Sequence, residues 1–171
     1  MDSIAPNNPV ADESALSEIF VPARSGRSVW LNGDLYTVKA SGASSGGSAS
    51  ILVATVPPGG GPPLHNHINE DEAFYILDGE LTITVESVRY KASTGDFVFN
   101  PRGKFHCFRN EGVDIAKQLL IFTPGGFDRF FTEAGEEAQP NLPIPSQNAK
   151  GEDVVRMIAS QYGSYQKGSL P

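Results

Sequence analysis

The chain has 171 residues, 39% of them hydrophobic, and 13 Lys and Arg against 20 Asp and Glu give a net charge of −7. That length suffices for one domain with a substantial core. An acidic balance without any basic run excludes a nucleic-acid backbone or an anionic membrane surface as partner, and the single cysteine, Cys107, excludes an intrachain disulfide.

The first stretch, "MDSIAPNNPVADESALSEIF", has no basic n-region and no apolar h-region. No apolar run approaches the roughly 20 residues of a spanning helix. The expectation is a soluble, cytoplasmic, single-domain protein. Residues 1–27 are rich in Pro, Asn and acids and read as an arm with little structure of its own.

From Ser28 to Phe122 short β-like runs alternate with turn residues. The runs are "SVWL", "LYTVKA", "SILVATV", "EAFYIL", "ELTITV", "VRYK", "DFVFN", "KFHCFRN" and "IAKQLLIF". Their period is about two and they are rich in Val, Ile, Phe, Tyr and Thr. The separators "NGD", "SGASSGG", "PPGGGPP", "DGE", "STGD" and "PRG" supply the Gly and Pro that turns need. "DG" at Asp78–Gly79, between two alternating runs, predicts a hairpin, and "SGASSGGSAS" reads as a flexible loop. Many short strands at regular spacing predict an all-β sandwich or small barrel.

After Phe122 the pattern becomes helical. Phe127, Phe130 and Phe131 stand at i, i+3 and i+4, and Val154 and Val155 share a face with Ile158. Between them "QPNLPIPSQN" is a Pro-rich connector. The division expected is an arm (1–27), a β-barrel (28–123) and a C-terminal helical extension packed on it (124–171). Trp30 and the Phe stripe are expected on the barrel exterior or at a subunit contact, and Glu133, Glu136 and Glu137 at a solvated helix end.

All three histidines fall inside the barrel region. Residues i and i+2 of a strand share a face, so His65 and His67 can converge on one ion. Alternation puts Glu72, Phe74 and Ile76 on one face of the next run. His106 lies in a later run with Phe108 on its side and Cys107 opposite. Three neutral imidazoles and a carboxylate suit Fe, Mn, Co, Ni, Cu or Zn, with positions left for water or substrate.

These residues sit in two motifs. The first runs Gly59, "GGPPL", His65, Asn66, His67, "INED", Glu72, "AFYILD", Gly79; the second runs Gly95, "DFVFN", Pro101, Arg102, Gly103, "KF", His106, "CFR", Asn110. Both resemble the two motifs of the cupin superfamily without a departure. The resemblance implies a double-stranded β-helix, or jelly roll, with His65, His67, Glu72 and His106 as ligands of one divalent transition metal. It also implies a homodimer.

A divalent cation with one carboxylate ligand keeps a charge near +1 in a water-poor barrel and favours an enolate, phenolate or carboxylate oxygen. Glu72 is either a ligand alone or a ligand that also takes the substrate's proton. If Lys39 and Lys117 face solvent, then Tyr36, Val38, Gln118, Leu120 and Phe122 face inward. With Phe74, Ile76 and Phe108 they would line a mostly apolar small-molecule pocket.

The layout "PPLHNHINEDEAFYILDGE", "FTPGGFDRFFTEAG" and a closing helix ending "QYG" resembles small cupins grouped with quercetin 2,3-dioxygenases. That likeness implies metal- and O2-dependent opening of a flavonol-like ring. Two other classes fit the same residues: an O2-independent isomerase, cyclase or lyase using the metal as Lewis acid, and a non-catalytic small-molecule-binding module. The barrel runs contain no inward cationic pair for a phosphorylated sugar.

Overall fold

The computed structural model describes residues 16–146 and 148–168, so the first fifteen residues of the expected arm lie outside it. Residues 16–27 run without strand or helix and are largely exposed. The elements that follow are β1 (Ser28–Leu31), β2 (Asp34–Ala40), β3 (Ser50–Val56), β4 (His65–His67), β5 (Asp71–Asp78), β6 (Glu80–Val85) and β7 (Val88–Ser93). Then come β8 (Phe97–Asn100), β9 (His106–Arg109), β10 (Ala116–Thr123), α1 (Asp128–Ala134), β11 (Glu136–Glu137), α2 (Glu152–Gln161) and β12 (Ser164–Gln166).

The strands form two antiparallel sheets, ordered β11-β1-β2-β3-β10-β5-β8 and β12-β4-β9-β6-β7. Facing each other, they make the double-stranded β-helix. Alternation decides the core. Leu52, Ala54 and Val56 of β3, Phe74 and Ile76 of β5, and Gln118, Leu120 and Phe122 of β10 all turn inward and are buried. Lys117 is exposed on the opposite face, and Val38 is partly buried against the core. No helix among the described residues is long and apolar enough to cross a membrane.

Three local expectations need correction. Asp78–Gly79 does not turn a hairpin: β5 pairs with β8 and β10, whereas β6 pairs with β7 and β9, so the chain passes from one sheet to the other at Gly79. The positive φ of Gly79 (+77°) serves that corner just as it would serve a hairpin, which is why "DG" is ambiguous. A two-residue hairpin lies instead at Glu86-Ser87, where Val85 pairs with Val88 and Glu86 takes φ +55°. Second, Val154 is 40% exposed while Val155 and Ile158 are buried, so α2 shows the barrel a narrower stripe than expected. Third, β11 and β12 are short strands added to the sheet edges after the barrel is complete; Glu136 and Glu137 therefore sit on a strand, where Glu137 pairs with Arg27 at 3.2 Å.

The Gly/Ser loop is tied down. Asp128 accepts hydrogen bonds from the Gly42 amide (2.8 Å) and the Ser50 hydroxyl (2.5 Å), and the Ser50 hydroxyl accepts one from the Gly126 amide (2.8 Å). A Cβ on Gly42 would stand 2.5 Å from the Gly126 nitrogen, so glycine here permits close backbone approach, not mobility. Removing the Asp128 carboxylate would leave buried donors unsatisfied. Asp128→Ala should lose about 1–3 kcal/mol of stability, read as a lower urea midpoint at unchanged slope.

Candidate metal centre

Three imidazoles come from the smaller sheet and one carboxylate from the larger. His65 and His67 project from β4, and His106 from β9, its Cα directly opposite that of His65. Glu72 reaches across from β5, where its neighbours in register are Phe122 and Asn100. The four ligand atoms lie within 4.8 Å of one another. His67 Nε2 is 3.2 Å from His65 Nε2 and 3.2 Å from Glu72 Oε2, and His106 Nε2 is 2.7 Å from the same oxygen.

These separations fit one ion. Nitrogen or oxygen donors about 2.0–2.2 Å from a shared metal stand about 3 Å from each other. Two imidazole nitrogens at that distance need a proton or a cation between them, because their lone pairs otherwise repel. The second ring nitrogens set the orientation: His65 Nδ1 meets the Pro63 carbonyl at 2.8 Å and His106 Nδ1 the Lys104 carbonyl at 2.9 Å. Each of these Nδ1 atoms donates, so each Nε2 is aimed at the centre. The donor set, three nitrogens and one carboxylate oxygen, suits a divalent transition ion.

Without the ion, protons balance the cluster. His106 donates from Nδ1 to Lys104 and from Nε2 to Glu72, and an imidazole that donates from both nitrogens is the cation. Burial opposes that charge, but the Glu72 carboxylate overrides it and holds the His106 pKa above its ordinary value. Burial likewise pushes Glu72 up, yet hydrogen bonds from His106 and His67 bring it down to about 2. His65 goes the other way: burial, then the positive character of His106 and His67, lowers it to about 3. His67 is also lowered, first by burial.

Beside the donors lies a small, partly open cavity of about 30 Å³, room for about one water. Of the seven side chains expected to line it, Tyr36, Phe108, Leu120 and Phe122 do so. Phe74, Ile76 and Gln118 point into the same interior but lie outside that lining. Phe74 packs edge-on against Phe108 and His106, and Gln118 is opposite Ala54 and Ile76.

The Phe stripe of α1 and its preceding residue is not on the barrel exterior. Phe127 packs against His67 at 4.3 Å between ring centroids and against Phe122 at 4.9 Å, while Phe131 packs on Tyr36 at 4.6 Å. Phe130 and Phe131 roof the cavity. The helical period was readable, but period alone does not say which apolar surface the stripe covers. Burying each ring stabilises the fold by about 1.5–3 kcal/mol. Leu31, Asn32 and Pro62 complete the wall, none of them marked by the sequence pattern.

Two hollows lead outward. One of about 50 Å³ beneath α2 shares Asn32, Pro62, His65 and Phe130 with the cavity; a groove of about 560 Å³ shares Asn32, Pro63, Val155 and Gln166 with that hollow. Small-molecule sites usually enclose about 300–1,000 Å³, so the cavity as it stands is smaller than such a site.

Metal binding must displace the His106 Nε2 proton. Apparent affinity for Zn²⁺ or Mn²⁺ should therefore fall about tenfold per pH unit once pH drops below the raised His106 pKa. Competition with a chromophoric chelator from about pH 8 to about pH 5.5 measures this, and His106→Ala should remove tight binding at every pH.

Comparison with known proteins agrees with this geometry. Residues 52–122 match the family model described as a cupin domain, Cupin_2. A quercetin 2,3-dioxygenase of Bacillus subtilis (strain 168) is 36% identical over 95 residues, covering 55% of this chain and 28% of the relative. An acireductone dioxygenase of Tuber melanosporum (strain Mel28) is 38% identical over 64 residues, covering 34% of this chain and 37% of the relative. The chain thus spans about a third of the length of these curated relatives. Among solved structures, a predicted oxalate decarboxylase from Thermotoga maritima superposes with a TM-score of 0.59 at 21% identity, covering 61% of this chain and 98% of that one, a likeness of fold. Two facing sheets, both histidine motifs and the matched family model agree on a cupin domain over residues 52–122.

Proposed function

We propose that this protein is a metal-dependent cupin enzyme acting on a small phenolic or enolisable molecule, with quercetinase-like dioxygenation as its reaction. The observation that carries the reading is the four-donor cluster, three of whose members, His65, His67 and Glu72, line a small, mostly apolar cavity. Support for the oxygenase reaction comes from the stretches of likeness to two dioxygenases. A bound divalent ion would supply Lewis acidity, and a redox-active one a path for electrons from the substrate to O2.

The chain's own residues account for the rest. His65, His67 and His106 hold the ion while contributing no charge of their own, so an anionic oxygen is the favoured ligand. Phe122, Phe108, Leu120 and Tyr36 offer flat apolar walls to a planar ring and keep bulk water out. Glu72 lines the cavity and is kept ionised by its imidazole neighbours, so it serves as the anionic ligand of the ion. No Lys or Arg lines the cavity among the described residues, which disfavours phosphorylated substrates and nucleic acid.

Protein loaded in turn with Mn²⁺, Fe²⁺, Co²⁺, Ni²⁺, Cu²⁺ and Zn²⁺ should consume O2 with a flavonol or β-diketone in at least one redox-active form. Glu72→Gln removes the anionic member of the donor set and should weaken metal binding, read by the same chelator competition. Turnover at full rate without O2 would move the assignment to an isomerase, cyclase or lyase. No turnover, with a small molecule carried unchanged through purification, would move it to a binding module.

For assembly we propose a homodimer through the outer face of the larger sheet. Two cross-strand rows on that face are apolar: Val53–Leu119–Tyr75–Phe97 and Ile51–Ile121–Ala73–Phe99. Tyr75, Phe97 and Phe99 are 42%, 59% and 53% exposed, and β8 is an unpaired edge. A sheet with both faces apolar is built to be covered on both, and a flat patch of this kind can meet its own copy across a two-fold axis. Sedimentation should give a dimer for the native chain and a monomer for a Tyr75→Lys, Phe97→Lys double variant; a native monomer would refute this assembly.

A further inference from the structure

A second buried acid lies beside the metal-site cavity. Asp34 opens β2 just after the Asn32–Gly33 turn and is 0% exposed. Its Oδ2 accepts a hydrogen bond from the Tyr36 hydroxyl at 3.0 Å, while Oδ1 has no well-aligned partner among the described residues. The fit is tight, because a Cβ on Gly60 would stand 2.3 Å from that Oδ1. Tyr36 in turn lines the cavity together with His65, His67 and Glu72. Tyr36 therefore stands between a carboxyl that the metal cluster does not use and the space where a ligand would sit.

A carboxylate in this setting is short of the hydrogen bonds that would hold its charge. Burial pushes Asp34 up to about 7, against the Tyr36 hydrogen bond, the neighbouring Gly61 amide and the charge of Arg109 on β9. Burial, then the nearby Asp34 charge and hydrogen bond, with Glu72 adding to them, hold the Tyr36 phenol well above its ordinary value. Asp34 thus takes or releases a proton near neutral pH, whereas Tyr36 keeps its own and can only pass one along.

We infer that Asp34 and Tyr36 form the proton store of this site: Tyr36 touches the hydroxyl group of the bound ligand, and Asp34, acting through it, holds the proton that the hydroxyl gives up. The inference rests on the enzyme reading proposed above. In the step, the ligand O–H bond breaks as a new Tyr36 O–H bond forms, and the original Tyr36 proton moves to Asp34 Oδ2. The electron pair stays on the ligand oxygen, so nothing is oxidised or reduced. The negative oxygen left behind favours a protonated Asp34, since like charges avoid each other, and Glu72 remains ionised.

The test uses the full chain loaded with Zn²⁺ and unsubstituted catechol as probe, a phenol that is still protonated in solution at about pH 8 and whose ultraviolet absorbance distinguishes its phenol from its phenolate. Calorimetry at about pH 8 in two buffers of different ionisation enthalpy counts the protons released on binding. The native protein should bind the phenolate and release no proton, whereas Asp34→Asn and Tyr36→Phe should each release about one proton per bound phenolate. Equal counts in all three would overturn the inference and leave the enzyme reading standing; a purely structural pair would lower Tm in both variants without moving the count. Failure of the native zinc protein to bind the probe would remove the enzyme reading, and the inference with it. Should the variants not fold, infrared difference spectra of the native protein decide. A protonated-carboxyl band that appears with the probe and shifts on 13C labelling of aspartate supports the store, and its absence overturns it.

Discussion

Glu72 crosses from the larger sheet into a triangle of imidazoles carried by the smaller one, and the rest of the molecule is arranged around that contact. A carboxylate this deeply buried is tolerable only with charge or hydrogen-bond donors on it. His106 and His67 provide them at 2.7 and 3.2 Å. The same crowding that makes the metal-free cluster depend on an extra proton makes it receptive to a cation. Folding and any cation binding at this cluster would therefore be coupled through one set of atoms: the strands must meet for the donors to converge, and convergence is favourable only when positive charge arrives with it.

The two sheets contribute unequally. The smaller sheet holds its histidines rigid through the backbone, with Nδ1 of His65 and of His106 each held by a carbonyl two residues earlier in its own chain segment. The larger sheet supplies Glu72, the apolar floor of Phe122 and Leu120, and the Asp34–Tyr36 pair at one side. Polar chemistry thus enters the cavity from both sheets, the imidazoles from the smaller and Glu72 and Tyr36 from the larger. The aromatic roof from α1 closes the space between them and raises the effective strength of every charge inside by excluding water.

That roof also relates the helical extension to the site. Phe127, Phe130 and Phe131 could not bury themselves within a seven-residue helix; they are buried because the barrel is open at the end where the metal donors lie. β12 adds its backbone to the strand that bears His65 and His67, Ser164 pairing with His67 and Gln166 with His65. The segment after the barrel therefore covers the mouth with side chains and braces the ligand strand with its main chain.

The sequence by itself determined the strands, their inward faces and the four donors. Each of these depends on local regularities: period two within a strand, and turn residues that tolerate few conformations. The runs from "SVWL" to "IAKQLLIF" became strands with boundaries shifted by only a residue or two, and His65, His67, Glu72 and His106 converge as their spacing and family likeness implied. Tertiary structure alone decided which strands pair and what covers each face. Asp78–Gly79 has the same local chemistry whether the chain turns back or crosses between sheets, so the sheet change was not legible. The Phe stripe had a visible period but no visible partner. Asp34 looked like an ordinary turn residue after "NG"; only the approach of Gly60, Gly61 and Arg109 from distant parts of the chain makes it a buried acid. Period and turn chemistry act over a few residues and can be read in order, whereas burial and charge balance depend on neighbours that the chain brings together only by folding.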